Sequence, residues 1–258
     1  MKNRDSKEFL RRFKNTLTRR YILRRELSRG GDDVTLFTYD RKSKKNKIVR
    51  FFNFADTPNI TLQKILNDFD RFKIKEVSQH TNILTINEIN VFSDMMNFDY
   101  IGLDADYFDC VSLEERAINY IPMFERYRII YSILSALLHC HEYGLFHQNV
   151  GPQNIFVSEK EVKLSEPSSW VIPIHHCYSI YKEYEAPEFK KGNIANEQTE
   201  IYSVGKVFKY LNTINGDSNN IADMIIQKAT AFDAAARFKS IFEFKQEVSK
   251  LIELSRYL

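Results

Sequence analysis

The stretch ending at Pro167, LLHCHEYGLFHQNVGPQNIFVSEKEVKLSEP, constrains the fold of this chain more than any other. It begins in an amphipathic helix predicted over residues 124–141, where Ile129, Ile130, Ile133, Leu134, Leu137 and Leu138 recur at helical spacing. It also follows a change of pattern. Residues 21–27, 34–39 and 47–54 are short β-prone runs, with Gly30-Gly31 as a turn signal between the first two. A helix is predicted over 56–79, broken near Pro58, and strands over 84–92 and 98–105. From Ser112 onward the pattern is helical, with further helices predicted over 200–211, 221–230 and 241–254. The expectation is an α+β chain: a small β-rich part followed by a larger helical one.

With 258 residues, 43% apolar and 28% charged, the composition is that of an ordinary globular protein with a substantial core. The formal charge of +3 is too small to imply nucleic-acid binding. No apolar run is long enough to span a bilayer, and the first twenty residues lack a secretory apolar region. Cys110, Cys140 and Cys177 show no paired spacing, which fits free thiols in a reducing, cytoplasmic compartment. Residues 1–20 read as a basic amphipathic helix, in which Phe9, Leu10, Phe13 and Leu17 form one face amid lysines and arginines. Its stripe is expected to pack on the body of the fold, with contact to a membrane surface as the second reading.

The quoted stretch resembles the catalytic and magnesium loops of protein kinases, H-R-D-x-x-x-x-N, a short hairpin and D-F-G. Ala186-Pro187-Glu188 is similar to the A-P-E that closes the kinase activation segment, and Glu200 to Gly205 to the D-x-x-S-x-G that opens the central helix. Asp233 to Arg237 resembles D-P-x-x-R, and His80-Thr-Asn-Ile83 resembles H-P-N-I. The resemblance covers about residues 21–254 and leans toward the serine/threonine branch. It implies a bilobal kinase-like domain over 21–258, with a small lobe of about 21–107 and a large lobe of about 108–258. It further implies that Glu188 and Arg237 form a buried ion pair, that His147 is a packed structural histidine, and that Glu200 is a structural residue.

Phosphoryl transfer in this family is positioning plus charge neutralisation. Against that pattern the proton-accepting aspartate aligns with Asn149, whose amide cannot take a proton. Gln148 replaces the arginine and Gly151 the lysine that steadies the transferred phosphate. Asn154 matches the metal-binding asparagine, and Glu166 keeps a carboxylate where D-F-G has aspartate, so these two are the candidate metal positions. Arg50 replaces the phosphate-gripping lysine, and Arg71 its glutamate partner, with Asp70 the alternative one residue away. Ser28 and Asp33 replace two glycines of the phosphate loop, and Gly30 keeps the third. Ile48, Ala105, Asp106 and Phe156 fall at the remaining nucleotide-pocket positions, with Ile48 where a small alanine is usual.

The resemblance therefore implies a pseudokinase: a scaffold or allosteric regulator that binds ATP and magnesium weakly or not at all. Its partner is expected to be a protein, by family resemblance an active kinase or another signalling protein. Residues 168–182 carry Trp170, Ile172, Ile174, Tyr178 and Tyr181, an apolar and aromatic set of the kind that anchors interfaces. Two alternatives stay open. One is an atypical transferase using Arg50, Asn154 and Glu166; the other is a nucleotide-sensing switch without turnover.

Overall fold

The computed structural model describes residues 19–29, 33–53, 62–71, 73–93, 99–167, 182–190, 195–216 and 219–255. Most of the basic N-terminal segment, Gly30, Cys177, and the aromatic set Trp170, Ile172, Ile174, Tyr178 and Tyr181 lie outside the described residues. The chain divides into two compact units, one grouping residues up to 60 with Thr85–Phe108, the other grouping 61–84 with everything from Asp109 on.

The first unit is an antiparallel sheet. Strands β1 (Tyr21–Arg29), β2 (Asp33–Asp40), β3 (Lys45–Asn53), β4 (Ile86–Ser93) and β5 (Asp99–Asp106) lie in the order β1-β2-β3-β5-β4. The turn joining β2 to β3 fixes their register, so that Asp40 pairs with Lys45 and Thr35 with Arg50. Because side chains alternate between faces, this register decides which residues share a surface.

The second unit is mainly helical. Helix α1 (Leu62–Arg71) and the single turn α2 (Ile74–Val77) replace the one helix expected over 56–79. Apolar periodicity continues through Ile74 and Val77, but Lys73 takes a left-handed conformation, φ 50°, and re-aims the chain between them. The motif 80–83 then ties this segment to the helical unit. Asn82 Nδ2 donates to the Val162 carbonyl at 2.9 Å, and Leu84 N donates to the Leu164 carbonyl at 2.8 Å.

Helix α3 (Leu113–Arg116) is capped by the Ser112 hydroxyl, which accepts from Glu115 N at 3.2 Å. Helix α4 (Met123–Glu142) forms the axis of the core, with Ile129, Ile130, Ile133, Leu134 and Leu137 fully buried. A three-stranded sheet joins β6 (Val111–Ser112), just before α3, to β7 (Ile155–Val157) and β8 (Val162–Leu164), which follow the loop after α4. Then come α5 (Pro187–Lys190), α6 (Glu197–Asn215), α7 (Asn220–Ala229) and α8 (Ile241–Leu254). Asn196 and Thr199 form a reciprocal capping box at the start of α6. Gly205 lets α6 and α7 approach closely, since a Cβ there would stand 2.7 Å from that of Ala229.

Candidate functional site

In the sheet unit, register builds a surface from two cross-strand rows. Ser28, Thr35, Arg50 and Leu103 form one, and Phe37, Ile48, Ala105 and Ile86 the next. Ile48 and Ala105 are fully buried and Arg50 is 2% exposed, so the surface joins an apolar row to one that carries a deeply placed cation beside the Thr35 and Ser28 hydroxyls. Phe37 stacks on Tyr107 with centroids 4.2 Å apart. Thr35, directly across from Arg50, was missed by motif matching; counting residues outward from the 41–44 turn would have found it. Asp106 presents its side chain to the opposite face, where its carboxylate accepts from Lys47 Nζ at 3.0 Å and Asn87 Nδ2 at 2.7 Å. Burial would raise the Asp106 carboxyl, but the hydrogen bond and charge of Lys47, with Asn87 and Lys45, together hold it below the usual range. Strand β2 begins at Asp33, the residue in a phosphate-loop glycine position.

In the helical unit, the loop after α4 is held from below by α6. Glu200, 1% exposed, takes the His147 and Gln148 backbone N–H groups on one carboxylate oxygen, the latter at 3.0 Å. Its other oxygen meets His141 Nε2 at 2.6 Å. Gln148 is left-handed, φ 63°, a conformation unfavourable for a residue with a Cβ and offset here by the bonds to Glu200. The buried His147 ring accepts from Asn149 N at Nδ1, 3.3 Å, which leaves Nε2 to donate to the Ser165 carbonyl at 3.2 Å. Asn154 Nδ2 donates to the Asn149 carbonyl at 2.7 Å, and Ser165 N to the Asn154 carbonyl at 2.8 Å. His147, Asn154 and Glu200 thus work as backbone supports.

The loop's side chains are neutral. Gln148, Asn149, Gly151 and Gln153 fill the stretch between His147 and Asn154, with Val150 and Pro152 between them. A Cβ on Gly151 would lie 2.6 Å from Gln153 Oε1, so the buried Gln153 amide occupies the root of any longer side chain at that position. Gln153 too was missed by motif matching, because its effect on position 151 appears only in three dimensions. Glu166 is 1% exposed just beyond β8, and Phe156 is fully buried in β7. Arg71 and Asp70 end α1, both exposed.

The expected metal positions offer two oxygen donors, the Glu166 carboxylate and Asn154 Oδ1, which stays available while the Asn154 amide nitrogen donates to the loop, and no charged side chain stands between His147 and Asn154 to grip a phosphate. Among the described residues no three His, Cys, Asp or Glu side chains are grouped to hold a metal.

Arg237, at the foot of the helical unit, forms a two-pronged ion pair with Glu188 and also donates to the carbonyls of Ala231, Gln198 and Phe232. Burial pushes the Glu188 carboxyl up, but the hydrogen bond and charge of Arg237, with a backbone hydrogen bond, together leave it below the usual range.

Comparison with known proteins places these features. The protein kinase domain model matches residues 38–255. A probable serine/threonine-protein kinase PknB of Lactococcus lactis is 24% identical over 231 residues, 72% of this chain and 35% of its own length. The stress-activated protein kinase JNK of Drosophila melanogaster is 23% identical over 205 residues, 74% of this chain and 52% of its own. The chain therefore spans about a third to a half of these relatives. The crystal structure of the PknI kinase domain of Mycobacterium tuberculosis superposes with a TM-score of 0.65 at 18% identity, covering 90% of this chain and 96% of that one.

Proposed function

This chain belongs to the protein kinase domain family, and from that membership we propose that it is a catalytically silent member acting as a scaffold or allosteric regulator of another protein. One observation carries the reading: the loop's backbone scaffold of Glu200, His147 and Asn154 is intact while every side chain it displays is neutral. A residue that accepts the hydroxyl proton typically contributes about 10²–10⁴ in rate. The Asn149 amide has no such capacity, and neither Gln148 nor Gly151 supplies a cation for phosphate. Retention of the supports without the reacting groups is what a folded platform needs and a phosphotransferase does not.

Surfaces of the helical unit suit such a role. A cleft of about 610 Å³ is lined by Cys110, Val111, Pro122 and Phe124 among others. The segment bordering it exposes Ile118 at 81% and Tyr120 at 62%. Apolar side chains presented together beside a cleft mark contact surfaces. The partner in this reading is a protein, an active kinase or other signalling protein by family analogy, and residues 168–182 are a second contact region. Free, buried thiols at Cys110 and Cys140 accord with a reducing, cytoplasmic setting. Among the described residues no helix is long and apolar enough to cross a membrane.

The buried carboxylate of Glu166 favours a second reading, a residual transferase or nucleotide-sensing switch working through Arg50, Asn154 and Glu166. Incubation with radiolabelled ATP and either magnesium or manganese separates the two. The scaffold reading expects no label on the protein or on added substrates. Incorporation that disappears in Glu166→Ala would establish the second.

A further inference from the structure

A short set of bonds holds residues 80–84 on the helical unit. Lys163 Nζ donates to the Thr81 carbonyl at 3.2 Å, and Asn82 Nδ2 donates to the Val162 carbonyl. Leu84 N and Leu164 N donate to the Leu164 and Asn82 carbonyls, each at 2.8 Å. His80 opens this set. Its ring Nδ1 accepts from Asn82 N at 3.2 Å and so shapes the turn that sets Asn82 against β8. An imidazole nitrogen that accepts carries no proton, which places the His80 proton on Nε2.

The same ring stacks on His139 of α4, with centroids 4.8 Å apart and planes 23° from parallel. His139 in turn tilts against Tyr143 and sets its Nδ1 3.4 Å from Glu142 Oε2. Its Nε2 is buried without a hydrogen-bond partner among the described residues, so the two histidines meet ring on ring. The charged groups acting on His80 come from three elements: His139 and Glu142 at the end of α4, Lys245 on α8 and Lys163 on β8. Lys245 lies over the Tyr131 ring at 4.6 Å, and Lys163 is 3.9 Å from Glu161. Of the four, Glu142 alone favours a cation at His80. Burial first, then His139 and the two lysines, hold the His80 imidazole below its ordinary pKa of 6.5.

A second proton on His80 must go to Nδ1, the atom that receives the Asn82 amide. Donor then faces donor, the turn loses its bond, and a cation enters a stack already under the field of two lysines. We propose that His80 is a proton-sensitive latch, which holds residues 80–84 on β8 and α4 when neutral and releases them when protonated. Release frees the chain immediately before β4. Because the folded state disfavours the cation, the latch contributes stability above the ordinary histidine pKa. That contribution is lost as pH falls through the lowered folded value. No residue of the loop between His147 and Asn154 takes part, so the latch stands or falls separately from the scaffold reading.

The test uses the full chain and the variant His80→Asn, whose Oδ1 accepts where Nδ1 does but does not titrate. Amide hydrogen exchange, corrected for its intrinsic dependence on pH, is followed at Leu84 and Leu164 from pH 7.5 to pH 5. In wild type, protection of both amides is expected to fall at least about fivefold over this range, while Ile133 and Leu134 in α4 keep theirs. His80→Asn is expected to hold its neutral-pH protection throughout. No loss in wild type, a loss that extends equally to α4, or an equal loss in the variant would overturn the proposal. The ring tautomer is read without any substitution, from nitrogen-15 shifts at pH 7.5. A proton found on His80 Nδ1 would overturn it as well.

Discussion

Arg237 and Glu188 face each other in a two-pronged ion pair, Nη1 to Oε1 at 2.6 Å and Nη2 to Oε2 at 2.9 Å, with the arginine side chain fully shielded from solvent. Removing the carboxylate leaves a buried cation with backbone carbonyls and the Tyr202 ring, 4.9 Å away, but no anion. Glu188→Ala is therefore expected to lose about 3 kcal/mol, the lower end of the range for breaking a buried pair, because Glu188 keeps some exposure. Urea denaturation checks this, and a loss below about 1 kcal/mol would contradict it.

Glu200 holds two consecutive backbone amides and His141 together. Hydrogen bonds to a charged group contribute about 1.5–3 kcal/mol each, and the left-handed Gln148 depends on them. Glu200→Ala should lower stability by at least about 3 kcal/mol and speed hydrogen exchange at His147 and Gln148. Unchanged exchange at those amides would mean the loop is held by something else.

Gly151 and Gln153 compete for one space. Gly151→Ala alone should cost about 1–3 kcal/mol, because the new Cβ displaces a buried amide. Adding Gln153→Ala should recover most of that loss. A double-mutant cycle that is additive within about 0.5 kcal/mol would exclude the competition.

Asp104 lies beneath Arg20 and Tyr21. Burial pushes its carboxyl up from 3.8 to about 6, despite the lowering pull of the Tyr21 hydroxyl and Arg20. Between those values the folded chain keeps a proton that the unfolded chain has released, so this group's contribution to stability falls as pH rises through that window. Asp40 and Glu88 act oppositely. Arg20 overcomes burial to hold Asp40 low, and its hydrogen bond leads the lowering of Glu88, so their contributions are lost as pH falls. Relative to wild type, Asp104→Asn should gain stability from pH 4 to pH 6.5 and level off above. A difference that does not vary with pH would refute the assignment.

Much of this was legible in the sequence because it rests on local chemistry. The apolar spacing around Ile129 to Leu138 specifies a helix, observed as Met123–Glu142. The A-P-E glutamate and its distant arginine carry a pairing that the fold realises at hydrogen-bond distance. What escaped depends on geometry that no single segment encodes. The break at Lys73 interrupts an unbroken periodicity, Thr35 belongs to the Arg50 row through register across a turn, and Gln153 matters through the space above Gly151. Asp106 aligned with a pocket position, yet strand alternation turns its carboxylate to the other face, toward Lys47.

The central claim, a kinase fold that no longer handles nucleotide, is tested most directly by a thermal-shift titration with ATP, ADP and GTP, each with and without magnesium. A ligand that binds only the folded state at 100 times its dissociation constant adds about 2.7 kcal/mol of stability. The account predicts no shift with any of the three nucleotides up to millimolar concentration. A magnesium-dependent shift with ATP, lost in Glu166→Ala, would contradict it and restore a nucleotide-dependent function to this chain.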